Sequence, residues 1–146
     1  WAELMEPKEI NLVNDEPISL EESFHNCLFY FLKALDVMVL DASVQCDVME
    51  NFNVAREIKQ DVGDGGTALI NWPADYLSQT EKDAIAKLLM TLSELPKAAL
   101  LRHEHRQAMD HPAWAELRVL AARLIEQLHD AANRNQAFFK NQAAQQ

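Results

Sequence analysis

The amino-acid sequence predicts an all-α protein, folded as an up-and-down bundle of four or five helices. Apolar residues recur at spacings of three and four along most of the chain, which is the pattern of helices that bury one face. All three glycines lie within Gly63–Gly66, whereas an all-β fold needs turn residues throughout. Helices joined by short connections pack antiparallel, which gives the up-and-down arrangement.

Chain length and composition fit one globular domain between two terminal segments. The 146 residues are 49% hydrophobic and 25% charged, which is typical of a folded chain. Residues 1–17 are predicted to form an acidic arm that ends at Pro17, and the helical bundle is predicted to cover residues 18–133. After Asn133 the sequence is rich in Asn, Gln and Ala, so residues 134–146 are expected to form a frayed tail.

The first helix is predicted to follow Ser19 in a capping box, in which the Ser19 hydroxyl accepts from a free backbone amide and the carboxylate of Glu22 reaches back to the backbone of Ser19. Apolar residues then line one side of this helix, at about 100° of rotation per residue. The stripe consists of Leu20, Phe24, Cys27, Leu28, Phe31, Leu35 and Met38.

A second apolar stripe leaves two alternatives for the segment that follows. On a continuous helix it lies about 180° from the first stripe. Either the helix breaks near residues 36–43, or one long helix over residues 19–62 contacts both its own bundle and a second protomer. Gly63 is predicted to cap the segment, and Gly65-Gly66 to form a hinge in an irregular stretch. The second stripe consists of Val37, Val44, Val48, Ala55, Ile58 and Val62.

Three further helix starts are visible in the second half of the chain. Ser78 and Glu81 form another capping box. Pro96 and Pro112 each suit the first position of a helix, because that position needs no backbone N–H donor. One helix is therefore expected to run from Pro96 to Met109, and the last one from Pro112 onwards.

Negative charge is concentrated in the first half of the chain. Residues 1–78 hold 15 acidic and 4 basic residues, a net charge of −11, and residues 79–146 hold 8 and 9, a net charge of +1. Such a surface repels nucleic acid and anionic membranes and attracts basic proteins. No apolar run is long enough to span a bilayer and no signal peptide is visible, so we expect a cytoplasmic location. Whether a leader once preceded Trp1 stays open.

Two Glu-x-x-His pairs, Glu22 with His25 and Glu126 with His129, are the strongest match to a catalytic motif. Carboxylate-bridged dimetal bundles use two such pairs that project inward. Both glutamates, however, lie about 160–180° from the apolar stripes of their helices, which predicts that the pairs are on the surface. No Gly-x-Ser-x-Gly motif is present. The sequence therefore predicts no metal, no cofactor and no catalytic residue.

The leading hypothesis is a non-enzymatic module that binds a basic protein partner, of the immunity-protein, antitoxin, inhibitor or secretion-chaperone type. Acidic side chains around aromatic anchors are a common means of binding such a partner. A homodimer through residues 34–58 is a linked expectation. The predicted partner-binding residues are Asp36, Asp41, Asp47, Glu50, Glu57, Asp61, Asp64, Trp72 and Tyr76.

Two alternatives stay open. A small helical carboxylate/histidine metal-binding enzyme would use the two Glu-x-x-His pairs. A ligand-binding regulatory bundle would line its pocket with Phe24, Phe31, Trp72 and Trp114.

Overall fold

A computed structural model describes residues 18–145, which form seven α-helices and one 3-10 helix without any strand in this range. The α-helices are α1 (Leu20–Met38), α2 (Ala42–Val48), α3 (Val54–Ile70), α4 (Gln79–Ser93), α5 (His105–Met109), α6 (Pro112–Gln127) and α7 (His129–Ala144), and the 3-10 helix is Lys97–Ala99. The all-α class is confirmed, whereas the number of helices exceeds the predicted four or five. The predicted acidic arm over residues 1–17 lies outside the described residues. Within residues 18–145, every helix is too short or too polar to traverse a bilayer.

Four helices form a closed ring around the core. Contacts join α1 to α3, α3 to α4, α4 to α6 and α6 back to α1. Helices α3 and α4 are antiparallel, because a Cβ atom at Gly66 would meet Ile85 and Leu89, whereas one at Gly63 would meet Leu92, further along α4. The shorter α2 and α5 pack on each other, and α7 packs on α1. Fully buried core residues from the four ring helices include Leu28, Leu35, Val62, Leu69, Ile85, Leu88, Trp114 and Leu117.

The helical segment after Ser19 is broken rather than continuous, so the alternative of one long helix over residues 19–62 is wrong. The last carbonyl groups of a helix lack intrahelical partners. The side chain of Gln45 supplies partners here, since its Nε2 donates to the carbonyl oxygens of Val37 at 3.1 Å and Met38 at 2.9 Å. The chain can therefore leave the helix after Met38 and reverse through α2.

Arg118 of α6 stabilises the same reversal from the other side. Its Nε donates to the carbonyl oxygen of Leu40 at 2.9 Å. Its Nη2 donates to Gln45 Oε1 at 2.7 Å and to the carbonyl oxygen of Met109 at 2.8 Å. One guanidinium group thus joins the end of α1, α2, the end of α5 and α6.

The predicted cap at Gly63 and hinge at Gly65-Gly66 are wrong, because α3 continues through all three glycines to Ile70. None of the glycines has a positive φ. Their role is close packing: a Cβ atom at Gly65 would lie 3.2 Å from Phe31 Cδ1, and one at Gly66 would lie 2.9 Å from Leu89 Cδ2. The missing side chains let α1 and α4 approach α3.

The predicted helix starts are confirmed at three of four places. The hydroxyl of Ser19 accepts from the amide of Glu22, and the complete capping box forms between Ser78 and Glu81. Pro112 begins α6. The single helix expected from Pro96 to Met109 is wrong, since only a 3-10 turn and the five-residue α5 form there. Part of the reason is Trp114, whose buried Nε1 donates to the carbonyl oxygen of Ala99 at 2.8 Å and holds the turn against α6.

The frayed tail predicted over residues 134–146 is wrong as far as the structure describes it, because α7 is helical to Ala144. Asn135 and Phe139 are both buried in this helix. Phe139 packs edge-on against Phe29 of α1, with ring centroids 5.9 Å apart. Tertiary contact with α1 thus stabilises a sequence whose composition alone favours fraying.

We predict that Arg118→Met lowers the free energy of unfolding by about 2–4 kcal/mol, because three acceptors lose their donor. Arg123→Met is the matched control, since Arg123 is exposed on the same helix. Urea denaturation of both variants measures the difference. Equal stabilities would show that the guanidinium does not hold the reversal together.

Candidate functional site

The nine predicted partner-binding residues do not share one surface. Asp36 lies in α1, and burial raises the pKa of its carboxyl group. The remaining acidic residues are divided between the neighbourhood of α2 and the length of α3. The two aromatic residues follow the far end of α3. The α2 group is Asp41, Asp47 and Glu50, the α3 group is Glu57, Asp61 and Asp64, and the aromatic pair is Trp72 and Tyr76.

The α2 group is exposed but spread over different positions. Asp41 precedes the first residue of α2, and its charge acts on the guanidinium of Arg118. Asp47 lies on α2 itself, whereas Glu50 is in the turn after it with a positive φ of 54°. These residues therefore do not form a continuous row.

Trp72 and Tyr76 pack against the start of α1 rather than projecting into solvent. Their rings lie 5.6 and 5.0 Å from that of Phe24. The indole Nε1 of Trp72 is buried and has no hydrogen-bond partner within residues 18–145. Phe24 and Trp114, which were expected to line a ligand pocket, fill the hydrophobic core instead.

The α3 group does form a row, because Glu57, Asp61 and Asp64 are four and three residues apart on one helix. The pKa of Asp61 is raised by partial burial and further by the negative charges of Glu57 and Asp64. The ion pairs of the described residues involve none of these three carboxylates. We call this row the acidic ridge.

A groove of about 540 Å³ runs between the acidic ridge and α1. Asp61 and Asp64 lie on its α3 side, and the exposed ring of Tyr30 and the cationic side chain of Lys33 lie on its α1 side. Its floor is apolar and includes Phe31 and Val37. The groove therefore combines a negative edge on α3, one cation on α1 and an apolar floor.

The two Glu-x-x-His pairs do not come together as a metal site. Glu126 and His129 are exposed and belong to different helices, α6 and α7. His25 is buried, so its predicted surface position is wrong. In the part of the chain that the structure describes, no three His, Cys, Asp or Glu side chains are grouped so as to hold a metal ion.

Sequence reasoning missed a cleft of about 830 Å³ at the end of the bundle where α1 begins. It lies between the start of α1, the segment before α4, and α7. The imidazole of His25 stacks on Phe138 there, with ring centroids 4.2 Å apart. Residues that line this end cleft include Glu21, His25, Tyr76, Glu81, Arg134 and Phe138. The helical spacing of Ala131, Asn135 and Phe139 was the signal in the sequence that could have revealed α7.

Asn135 fixes the proton arrangement of His25. Its Nδ2 lies 3.0 Å from His25 Nδ1 and 2.9 Å from the carbonyl oxygen of His25. Because an amide NH₂ group only donates, Nδ1 must accept, and the neutral ring carries its proton on Nε2. Burial lowers the pKa of His25, Glu21 raises it, and Arg134 lowers it further, with a net decrease.

An ion pair joins α4 and α7 across the end cleft. Arg134 Nη2 lies 3.0 Å from Glu81 Oε1, which also accepts the amide of Ser78 at 2.9 Å. Lys82 lies 3.9 Å from the exposed carboxylate of Asp75 at the rim. The lining therefore presents both signs of charge and does not select a ligand by charge.

The chain matches no model of a known protein family, no curated protein and no solved structure at a significant level.

We predict that the protein loses stability as the pH falls below the ordinary histidine pKa of 6.5, in part through His25. The folded state binds this proton less readily than the unfolded state, so the contribution is complete above pH 6.5 and is lost towards the lowered pKa. Glu21, Asp75, Glu81, Lys82 and Arg134 are the charged groups around the same cleft.

Thermal unfolding of the wild type and of His25→Gln between neutral and mildly acidic pH isolates this contribution. The wild type should lose more stability over that interval than the variant, which has no titrating ring. An equal pH dependence in the two proteins would contradict the assignment.

Proposed function

We propose that the chain is a non-enzymatic module that binds a basic segment of a partner protein in the groove between α1 and α3. The observation that carries this proposal is the acidic ridge of Glu57, Asp61 and Asp64. Partial burial raises the pKa of Asp61, and the neighbouring negative charges of Glu57 and Asp64 raise it further. Cationic groups of a partner would relieve the repulsion between these carboxylates, which makes binding favourable where the isolated protein is strained electrostatically.

The groove also supplies an apolar anchor point. The side chain of Tyr30 is 60% exposed, although aromatic residues are usually buried. Exposed tyrosines next to apolar floors are typical of residues that dominate interface energies. A partner would therefore direct its basic groups to α3 and its apolar groups to Tyr30 and Val37.

The charge of the chain as a whole supports the same class of partner. With a formal net charge of −10, the protein attracts cations from a distance and accelerates their encounter. Immunity proteins, antitoxins, inhibitors and secretion chaperones are classes of protein that bind a partner in this way, and the proposal covers them jointly.

Charge reversal on the groove tests the proposal. We expect Asp61→Lys combined with Asp64→Lys to weaken binding of a peptide of alternating Arg and Leu residues about tenfold or more. Isothermal titration calorimetry at low and physiological salt measures this affinity. In a pull-down from a lysate, the same variant should no longer retain any basic protein that the wild type retains.

The matched control is Glu116→Lys combined with Glu126→Lys, which makes the same change of net charge on the exposed side of α6. This variant should retain most of the affinity. If both double variants weaken binding equally, the peptide is attracted by net charge alone and the groove is not the binding site.

We also propose a homodimer through residues 34–58. Three exposed apolar side chains lie on α2 and in the turn after it. They are Val44, Val48 and Phe52, which are 40%, 53% and 70% exposed. Burying these side chains against a second copy would remove apolar surface from water.

Sedimentation equilibrium tests this arrangement. The wild type is expected to dimerise, and Val48→Ser combined with Phe52→Ser should shift it to the monomer. Met90→Ser combined with Val119→Ser is the control, because these exposed apolar residues lie on other helices. A wild type that is monomeric at all practical concentrations would refute the dimer.

A further inference from the structure

The opposite side of α3 carries positive charge, in contrast to the acidic ridge. A cleft of about 610 Å³ lies there between α3, α4 and the loop after the 3-10 helix. Three cationic side chains line it, Arg56, Lys59 and Arg102, together with one carboxylate, Asp64. The formal charge of this lining is 3 − 1 = +2 in a protein whose total is −10. We call it the basic cleft.

The cations of the basic cleft are not neutralised by the protein itself. No ion pair of residues 18–145 includes Arg56, Lys59 or Arg102. Arg56 Nε donates to the carbonyl oxygen of Leu100 at 3.3 Å, which ties its guanidinium to the loop. Its two terminal nitrogens make no other hydrogen bond within the described residues. Unpaired cations that share a concave surface favour an anion between them.

Part of the lining of the basic cleft is apolar. Leu89, Leu92 and Leu100 form this part. Gly63 also lines the cleft, and a Cβ atom built there would have Leu92 Cδ2 as its nearest neighbour, at 3.9 Å. A volume of about 610 Å³ lies within the usual range of about 300–1,000 Å³ for small-molecule sites. The cleft therefore has room for an organic group beside an anionic one.

We propose that the basic cleft binds a small organic phosphate. A phosphate monoester carries a charge of about −1.5 to −2 at neutral pH, which matches the +2 of the lining better than a carboxylate does. Guanidinium groups bind phosphate oxygens through two parallel hydrogen bonds. The organic part would rest on the leucine part of the lining. This site shares Gln60 and Asp64 with the α1–α3 groove, but of the two sites Lys59 and Arg102 line only the basic cleft, so variants of these two residues test this proposal without testing the other.

Titration followed by NMR tests the proposal, with adenosine 5′-monophosphate and inorganic phosphate as the anionic probes and adenosine as the neutral probe. Adenosine 5′-monophosphate should cause saturable shifts of the backbone amides around Gly63, Thr67 and Arg102, with a Kd in the millimolar range or tighter. Adenosine should cause none. Lys59→Gln combined with Arg102→Gln should weaken binding about tenfold, equivalent to about 1.4 kcal/mol.

Two further variants distinguish specific binding in the basic cleft from attraction of the anion by positive charge elsewhere on the surface. Lys87→Gln combined with Arg123→Gln removes the same charge from exposed positions elsewhere and should leave the affinity nearly unchanged. Gly63→Leu should fill the cleft and abolish binding while far-UV circular dichroism stays unchanged. Circular dichroism of the Lys59/Arg102 variant shows whether its loss of affinity reflects the site or the fold.

Several results would overturn the proposal. These are the absence of saturable shifts with both anionic probes, equal losses in the two double charge variants, and binding of adenosine as tight as that of its phosphate. Capture on phosphatidic-acid vesicles without any response to the soluble phosphates would overturn it as well, since the phosphate would then belong to a lipid headgroup.

Discussion

The hydrogen bonds of Arg118 and Gln45 are the constraint on which the arrangement of the bundle depends. The two side chains supply donors for the carbonyl groups of residues 37, 38 and 40, where α1 ends. Without these donors the carbonyl groups of Met38 and Leu40 would lose their hydrogen-bond partners, and a continuous helix would be the more stable arrangement. Ending α1 here lets the chain reverse through α2 and return as α3, antiparallel to α1. The packing of α3 against α1, and the groove between these two helices, follow from that reversal.

The separation of charge on the two sides of α3 is a consequence of helix geometry and of close packing. Successive residues are rotated by about 100°, so Lys59 and Asp61 point in directions about 160° apart. Arg56 and Lys59 consequently line the basic cleft between α3 and α4. Asp61 and Asp64 line the groove between α3 and α1, and Asp64 also borders the basic cleft. Gly65 and Gly66 bring α1 and α4 close to α3, which turns the two sides of one helix into the walls of two separate depressions.

The local signals in the sequence predicted the fold class and most helix starts, because caps and apolar spacing act within a few residues. Ser19, Ser78 and Pro112 illustrate this. The sequence alone could not show where α1 ends, because one of the side chains that stabilise this end, Arg118, lies 78 residues after Leu40. The glycines were misinterpreted since Gly favours both helix ends and close helix contacts, and only the tertiary structure distinguishes them. Similarly, the burial of His25 depends on α7, which composition alone predicts to be frayed. The predicted acidic residues are divided among α1, the neighbourhood of α2 and α3, and that division depends on the fold rather than on any local signal.

The α1–α3 groove and the basic cleft share Gln60 and Asp64, so a ligand bound in one would affect binding in the other. A phosphate held by Arg56, Lys59 and Arg102 would neutralise the cations that now weaken the negative potential of the ridge. The carboxylates of Asp61 and Asp64 would then attract a basic partner more strongly. By linkage, the bound partner would raise the affinity of the cleft for phosphate by the same factor. Because both groups are close to solvent, this coupling would be electrostatic and would decrease with ionic strength. A single rigid helix with opposite charges on its two sides therefore suffices to connect two ligands without any change of conformation.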